Sequence, residues 1–183
     1  MNAGIAASPV SKRAVPSARG AANGRNVGRL LFRTLYRLNV IGAKSVPRRG
    51  RLIVAANHIG FLDGPLLFSA APRPLHVVAK SELFDPPFDK VLSGVGQIPL
   101  DYESPDRVAV QEALAVLEDG GALGIFPEAH RGRGDFARIR HGIAYLHSRT
   151  NAPIVPTAIF GTRLTGMTKN QLPKARSELT VVF

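Results

Sequence analysis

The apolar positions of this chain fall in short runs separated by amphipathic stretches. "RLIVAAN" (51–57) and "LHVVAK" (75–80) leave no polar face, which predicts buried strands. "ALGIF" (122–126) and "PIVPTAIF" (153–160) read the same way. "QIPL" (97–100) predicts a short strand, weakened by Pro99. "ELTVVF" (178–183) predicts a last strand that stops with the chain, so that a truncated C-terminus with an open sheet edge is expected. Between the strands the period changes. Residues 104–119 predict a helix, with Ser104 as cap, Pro105 in the first turn, an apolar stripe of Val110, Ala113, Leu114 and Leu117, and Gly120-Gly121 as the stop. Further helical segments are predicted at Gly64-Pro65, over 87–94 and over 136–149. Strands alternating with helices predict an α/β fold with a mixed, largely parallel sheet flanked by helices. In such sheets the chemistry lies beyond the carboxyl ends of the strands.

The N-terminal part has a different pattern. Residues 1–25 are Ala, Gly, Ser, Pro and Arg with little to bury, which predicts a disordered basic tail ahead of one domain over 26–183. Residues 26–39 predict a helix with Val27, Leu31, Leu35 and Leu38 on one face and Arg29, Arg33 and Arg37 on the other. Two readings of that helix stand: it lies in a membrane interface, or it packs on its own domain with its arginines in water.

Charge sharpens the first reading. The 183-residue chain carries a net charge of +11, and no acidic residue precedes Asp63. The remainder is neutral, so the whole excess lies in the first third. That asymmetry points to a polyanionic partner, an anionic membrane or a nucleic acid, or else to a solvated tail. Only Phe32 and Tyr36 interleave with the arginines, so no nucleic-acid partner is expected. No window reaches the roughly 18–20 apolar residues that span a bilayer, and no compact apolar leader opens the chain. An Arg-rich, acid-free start also has the composition of an organelle transit peptide, though its Gly and Pro break a continuous helix. The chain has no cysteine, which excludes disulfides, thiolate zinc sites and a cysteine nucleophile. A cytoplasmic protein held at the inner face of a membrane, without a transmembrane helix, is the expectation.

The chemistry begins at "ANHIGFLDG" (56–64). His58 ends a buried strand and Asp63 follows five positions later. A tight turn would let the carboxylate hold one imidazole nitrogen as N–H and leave the other to accept a proton. Neither serine nor cysteine stands beside them, so the nucleophile would be a hydroxyl of the substrate. Taken alone, Asp63 also reads as a helix cap and His58 as a structural histidine. The second constellation is "IFPEAHRGRG" (125–134), where Glu128, His130, Arg131 and Arg133 follow a strand among glycines. Such a loop suits phosphate, and equally suits a solvated turn.

Four motifs therefore occur in order: Asn57-His58 with Asp63; Gly96-Gln97-Ile98 with Asp101; Phe126-Pro127-Glu128 with Arg131; and Val155-Pro156 in an apolar strand, with Arg140 and Gly142 between the last two. From about residue 38 to the end the chain resembles the glycerophospholipid acyltransferases, of the lysophosphatidate (1-acylglycerol-3-phosphate) type, and their glycerol-3-phosphate acyltransferase-like fold. The resemblance implies transfer of a fatty acyl group from a thioester of coenzyme A or acyl carrier protein to the free hydroxyl of a lysophospholipid. It implies that His58 is the base, that Asp63 orients it, and that Glu128 and Arg131 position the acceptor's head group. Asn57, Gly96, Gln97, Ile98, Asp101, His130, Arg133, Arg140, Val155 and Pro156 would belong to the substrate site. No metal or cofactor is implied, because a thioester is already activated. Three positions depart from the pattern: Tyr102 for an arginine, and Ala129 and His130 for Gly-Thr. His130, Arg133 and Arg138 are candidates to replace the lost cation, and glycerol 3-phosphate or a glycolipid is the alternative acceptor. A non-catalytic lipid-binding descendant is the rival from another class, and the intact His58 and Asp63 argue against it.

Overall fold

A computed structural model describes residues 16–137 and 139–183. Helix α1 (Ala18–Leu35) leads into strand β1 (Arg37–Ile41), followed by β2 (Leu52–Ala56), α2 (Asp63–Ala70) and β3 (His76–Lys80). A single 3-10 turn (Ser81–Phe84) and α3 (Asp89–Gly94) precede β4 (Ile98–Leu100). The rest runs α4 (Arg107–Glu118), β5 (Ala122–Ile125), α5 (Gly142–Thr150), β6 (Ile154–Phe160) and β7 (Glu178–Val182). The strands form one sheet in the order β1-β7-β6-β2-β5-β3-β4, parallel throughout except between β6 and β7. This is the mixed, largely parallel α/β sheet that the apolar runs predict.

β2 is central and buried along its whole length, which is why its sequence does not alternate. Leu52, Val54 and Ala56 face one layer, packed with Phe32 of α1 and Leu66 and Leu67 of α2. Ile53 faces the other, packed with Val116 and Leu117 of α4 and Leu146 of α5. β7 is not at an edge, contrary to expectation: it lies between β1 and β6.

The N-terminal segment departs most from expectation. The helix starts at Ala18, capped by the Ser17 hydroxyl on Gly20 N, so residues 18–25 are not a disordered tail. Residues 1–15 of that predicted tail, and Arg138, lie outside the described residues. The helix ends at Leu35 rather than 39, because Arg37–Ile41 pairs with β7 and turns Leu38 and Val40 onto the core. Its orientation is also reversed from the domain-packed reading. The face that packs carries Gly20, Ala21, Gly24, Gly28 and Phe32 together with Arg25 and Arg29, whereas Arg33 is exposed. Arg25 Nε donates to Ala71 O at 2.6 Å, and Arg29 Nη2 donates to Ala70 O at 3.0 Å and Ala71 O at 3.2 Å. These guanidiniums occupy the carbonyl end of α2, which has no basic residue in its own last turn. Burial, then repulsion among Arg25, Arg29, Arg33 and Arg48, lowers the pKa of Arg25 and Arg29 from the ordinary arginine value. The apolar stripe meanwhile faces outward, with Val27 69% and Leu31 54% exposed.

Close approach explains the orientation. Gly20, Gly24 and Gly28 recur every four residues on the packed face. A Cβ on Gly20 would lie 1.9 Å from Gly94 O, one on Gly24 2.5 Å from Val95 Cγ1, and one on Gly28 2.3 Å from Ser69 Oγ. Helix propensity alone makes Gly→Ala stabilising by about 0.5–1 kcal/mol. At Gly20 the obstacle is a backbone carbonyl, which cannot rotate away, so overpacking prevails. Gly20→Ala is therefore expected to destabilise the fold by about 1–3 kcal/mol, read as a lower urea midpoint. A raised midpoint would contradict the packing of α1 on α3.

Two helix limits shift for local reasons. α4 is capped by Asp106, whose carboxylate accepts from Ala109 N at 2.9 Å, not by Ser104. Ser104 instead donates its hydroxyl to Asp101. The helix predicted over 136–149 begins only at Gly142. Phe136 has a positive φ of 54°, which no helix accommodates there. Among the described residues no helix is long and apolar enough to cross a membrane, and no group of three His, Asp or Glu is placed to hold a metal ion.

Candidate active site

The carboxyl end of β2 runs directly into Asn57 and His58, and the turn 59–62 returns the chain to Asp63 at the first position of α2. His58 Nδ1 lies 2.9 Å from Asp63 Oδ2. The same oxygen accepts from Ile59 N at 2.6 Å and Gly60 N at 2.8 Å, while Oδ1 accepts from the Thr162 hydroxyl. Asp63 is fully buried and surrounded by donors, which is how an ionised carboxylate is kept inside a protein. With Oδ2 acting only as acceptor, Nδ1 of His58 must carry its proton. Nε2 is then the acceptor, on a ring whose side chain is 19% exposed. The ring stacks on Phe126 at the end of β5, 4.3 Å between centroids. Its backbone is clasped as well: His58 N donates to Glu128 Oε1 at 3.0 Å, and Gly132 N donates to His58 O at 2.8 Å.

The ring opens onto a cavity of ≈ 790 Å³. Its walls are mainly apolar: Phe61, Phe68, Val77, Leu83, Phe88, Val91, Leu92 and Val95. The polar lining includes Lys80, Tyr102, His130, Arg131, Lys169 and Asn170. An apolar cavity of several hundred Å³ with a few convergent polar groups is the usual form of a small-molecule site. An acceptor nitrogen on His58, an apolar trough and a cationic rim together suit proton removal from an amphiphile with an anionic head.

The residues predicted for the site divide into groups. His58, Gln97, His130 and Arg131 line the cavity. Arg131 is held in place, with Nη1 donating to Lys169 O and Asn170 Oδ1 and its guanidinium 5.7 Å from the Phe61 ring centroid. Arg140 sits 5.9 Å above the Tyr102 ring, and His130 approaches the same ring at 6.0 Å. Burial pushes the Tyr102 hydroxyl above its ordinary pKa, against the pull of the Arg140 charge.

The others are given different work. Asn57 exchanges two hydrogen bonds with the Ile159 backbone, tying β2 to β6 beyond the last ladder pair. Gln97 uses its amide on Val77 N and Val95 O, so it builds the wall. Gly96 turns at φ 70° against the His76 ring, and Ile98 is buried in the opposite core layer. Asp101 is partly exposed in the turn before α4; its carboxyl, bonded by Ser104 and Glu103 N, is held below the usual range. Arg133 pairs with Asp135 at 3.4 Å, both well exposed, a contact of little energy. Val155 packs in the core and Pro156 is exposed on β6, both outside the cavity lining. Sequence reasoning missed Thr162 and the wall residues of α3. The signal for Thr162 was a Gly-Thr pair just past the carboxyl end of β6, the same position that singles out His58 after β2.

Comparison with known proteins agrees with this geometry. The sequence profile of the acyltransferase family matches residues 37–160. The chain belongs to the acyltransferase family. A 1-acyl-sn-glycerol-3-phosphate acyltransferase of Borreliella burgdorferi is 30% identical over 127 residues, 67% of this chain and 51% of that protein. One of Bacillus subtilis is 27% identical over 126 residues, 68% of this chain and 63% of that protein. The chain thus spans about half to two thirds of the length of these relatives. Among solved structures, the 1-acyl-sn-glycerophosphate acyltransferase PlsC of Thermotoga maritima superimposes with a TM-score of 0.71 at 21% identity. That match covers 88% of this chain and 66% of PlsC, and it shows a shared acyltransferase fold.

Proposed function

We propose that this chain transfers a fatty acyl group from a thioester to the free hydroxyl of lysophosphatidate or a closely related lysophospholipid. The observation that carries the reading is the His58–Asp63 pair at the mouth of an apolar cavity with a cationic rim. The acceptor's hydroxyl oxygen attacks the thioester carbonyl while Nε2 of His58 takes its proton. Asp63 stabilises the resulting imidazolium. The tetrahedral adduct expels the thiolate, which recovers the proton from His58 as free thiol. An acyl chain lies along Phe68, Val91, Leu92 and Val95. Arg131, with His130 and Arg140, meets the phosphate. The relatives' being 1-acyl-sn-glycerol-3-phosphate acyltransferases supports lysophosphatidate as acceptor. Tyr102, standing where the resemblance calls for arginine, keeps glycerol 3-phosphate and glycolipids in the comparison. Acyl-CoA and acyl carrier protein remain the two donor classes.

The test is a panel of these acceptors offered to the protein with an acyl thioester. Lysophosphatidate should be the preferred acceptor, and an equal rate on a phosphate-free lysolipid would contradict the phosphate assignment. Arg131→Ala should raise KM for lysophosphatidate by about 10-fold or more and leave KM for the donor near its original value. A donor defect with normal acceptor saturation would move Arg131 to the donor's site.

The same proposal places the enzyme on the inner face of an anionic membrane, where its acceptor resides. The basic N-terminal third supports this, and so do the outward apolar face of α1 and the exposed Phe88 and Val91 of the cavity lining. Arg25 and Arg29 are engaged by α2, so insertion of the stripe is the dominant contribution at this helix. In co-sedimentation with anionic vesicles, changing Val27 and Leu31 to Asp should reduce binding severalfold. Salt should weaken binding without abolishing it. Unchanged binding of the double variant would remove α1 from the membrane contact.

A further inference from the structure

We infer that Thr162 is a positioning residue for the His58–Asp63 pair, so that the working unit is a chain of three side chains. Thr162 belongs to none of the four motifs. Its side chain is completely buried, and its hydroxyl donates to Asp63 Oδ1 at 2.5 Å. Asp63 is thereby gripped from both sides. Oδ2 takes His58 Nδ1 and the amides of Ile59 and Gly60, which all belong to the turn 58–60. Oδ1 takes Thr162, which comes from the far end of β6. Without Thr162 the carboxylate would be held through Oδ2 alone, by donors of its own turn. Its plane would then be less tightly fixed, and with it the aim of the imidazole.

The backbone around Thr162 is arranged to hold this contact. Gly161 has a φ of 87°, and a Cβ there would lie 2.1 Å from Glu178 O, so the turn after β6 is pressed against β7. Gly60 approaches so closely that a Cβ would lie 3.0 Å from Thr162 O. Asn57 fixes the same junction one step earlier through its two bonds to Ile159. β6 therefore enters the site through Thr162 and not through Val155 and Pro156. A carboxylate so fixed keeps Nδ1–H of His58 in line and Nε2 aimed at the cavity. A misplacement of about 1 Å in such a constellation costs about 100-fold in rate.

This inference rests on the proposed role of His58 and is tested so that the two can fail separately. Initial rates of acyl-CoA transfer to lysophosphatidate are measured for wild type, Thr162→Val, Thr162→Ser, His58→Ala and the His58→Ala/Thr162→Val double variant. Valine keeps the shape and removes the donor. Thr162→Val should lower kcat by about 10- to 100-fold with both KM values within about twofold of wild type. Thr162→Ser should restore most of kcat, because the donor returns. In the His58→Ala background Thr162→Val should have no further effect, since it acts only through the imidazole. Thermal denaturation of each variant reports folding independently of rate. A folded Thr162→Val with wild-type kcat, or an equal loss in the His58→Ala background, overturns the role of Thr162 alone. An active His58→Ala overturns both.

Discussion

Replacing His58 with Ala is expected to lower acyl transfer by about 10²–10⁴-fold while the protein stays folded. The loss follows from geometry. Nδ1 is committed to Asp63, so Nε2 is the proton acceptor at the cavity, and among the described residues neither serine nor cysteine lines that cavity. Retention of the fold follows from the other bonds. Asp63 keeps Ile59 N, Gly60 N and the Thr162 hydroxyl, so no buried charge is orphaned. Phe126 loses a stacking partner on a partly exposed ring, a small cost beside the several kcal/mol of a core truncation. Rate and thermal midpoint measured on the same preparation check this. More than half the wild-type activity in a folded variant would refute the assignment of the base.

Asp63→Asn is expected to reduce kcat by a similar factor, about 10²–10⁴-fold, with KM little changed. An amide can turn its oxygen toward Ile59 N, Gly60 N and His58 Nδ1. Its NH₂ then faces Thr162, whose hydroxyl can rotate to accept. The fold is preserved, but the negative charge that stabilises the imidazolium is gone. Asp63→Ala is a different experiment. It strands two buried backbone N–H groups and the Thr162 hydroxyl, each costing about 1–3 kcal/mol, so its inactivity would report unfolding as much as chemistry. The decisive comparison is kcat for Asp63→Asn at unchanged thermal midpoint. A loss smaller than tenfold would mean that the carboxylate only holds the turn 58–60 and Thr162 in place.

Much of the fold could be read from the chain because its strands are continuous apolar runs. β2, β3, β5 and β6 stand close to their predicted limits, since each is a continuous run of mainly apolar residues, although β6 is exposed at Ile154, Pro156 and Phe160. β1 was concealed because Leu31, Leu35 and Leu38 also fit a helical period, and only pairing with β7 decides that Leu38 belongs to a strand. α1 was placed too late, and of its two readings the domain-packed one had the wrong face inward. Its glycines read as breakers, yet they are the contact surface, and Arg25 and Arg29 cap another helix. Neither relation is local in sequence.

In the site, the five-residue spacing of His58 and Asp63 was legible, because one turn suffices to join them. Gln97, His130 and Arg131 line the cavity. Asn57, Asp101 and Val155 were drawn toward substrate by their motifs, whereas their contacts are with backbone, turn and core, and Pro156 is exposed away from the cavity lining. A motif records where a residue stands in the chain, not which of its atoms are already engaged. The apolar walls were invisible for the complementary reason: Val91 and Val95 read as ordinary helix surface until α3 is seen beside the His58 ring.

Acyl transfer to a lipid hydroxyl with His58 as base has one decisive measurement: the identity of the product when the protein, a labelled acyl thioester and lysophosphatidate in anionic vesicles are combined. Labelled phosphatidate is expected, with one free thiol released for each ester formed, and neither product with His58→Ala. Thiol release accompanied only by labelled free fatty acid would make the protein a hydrolase and refute the transfer, and labelled phosphatidate formed equally well by His58→Ala would refute His58 as the base.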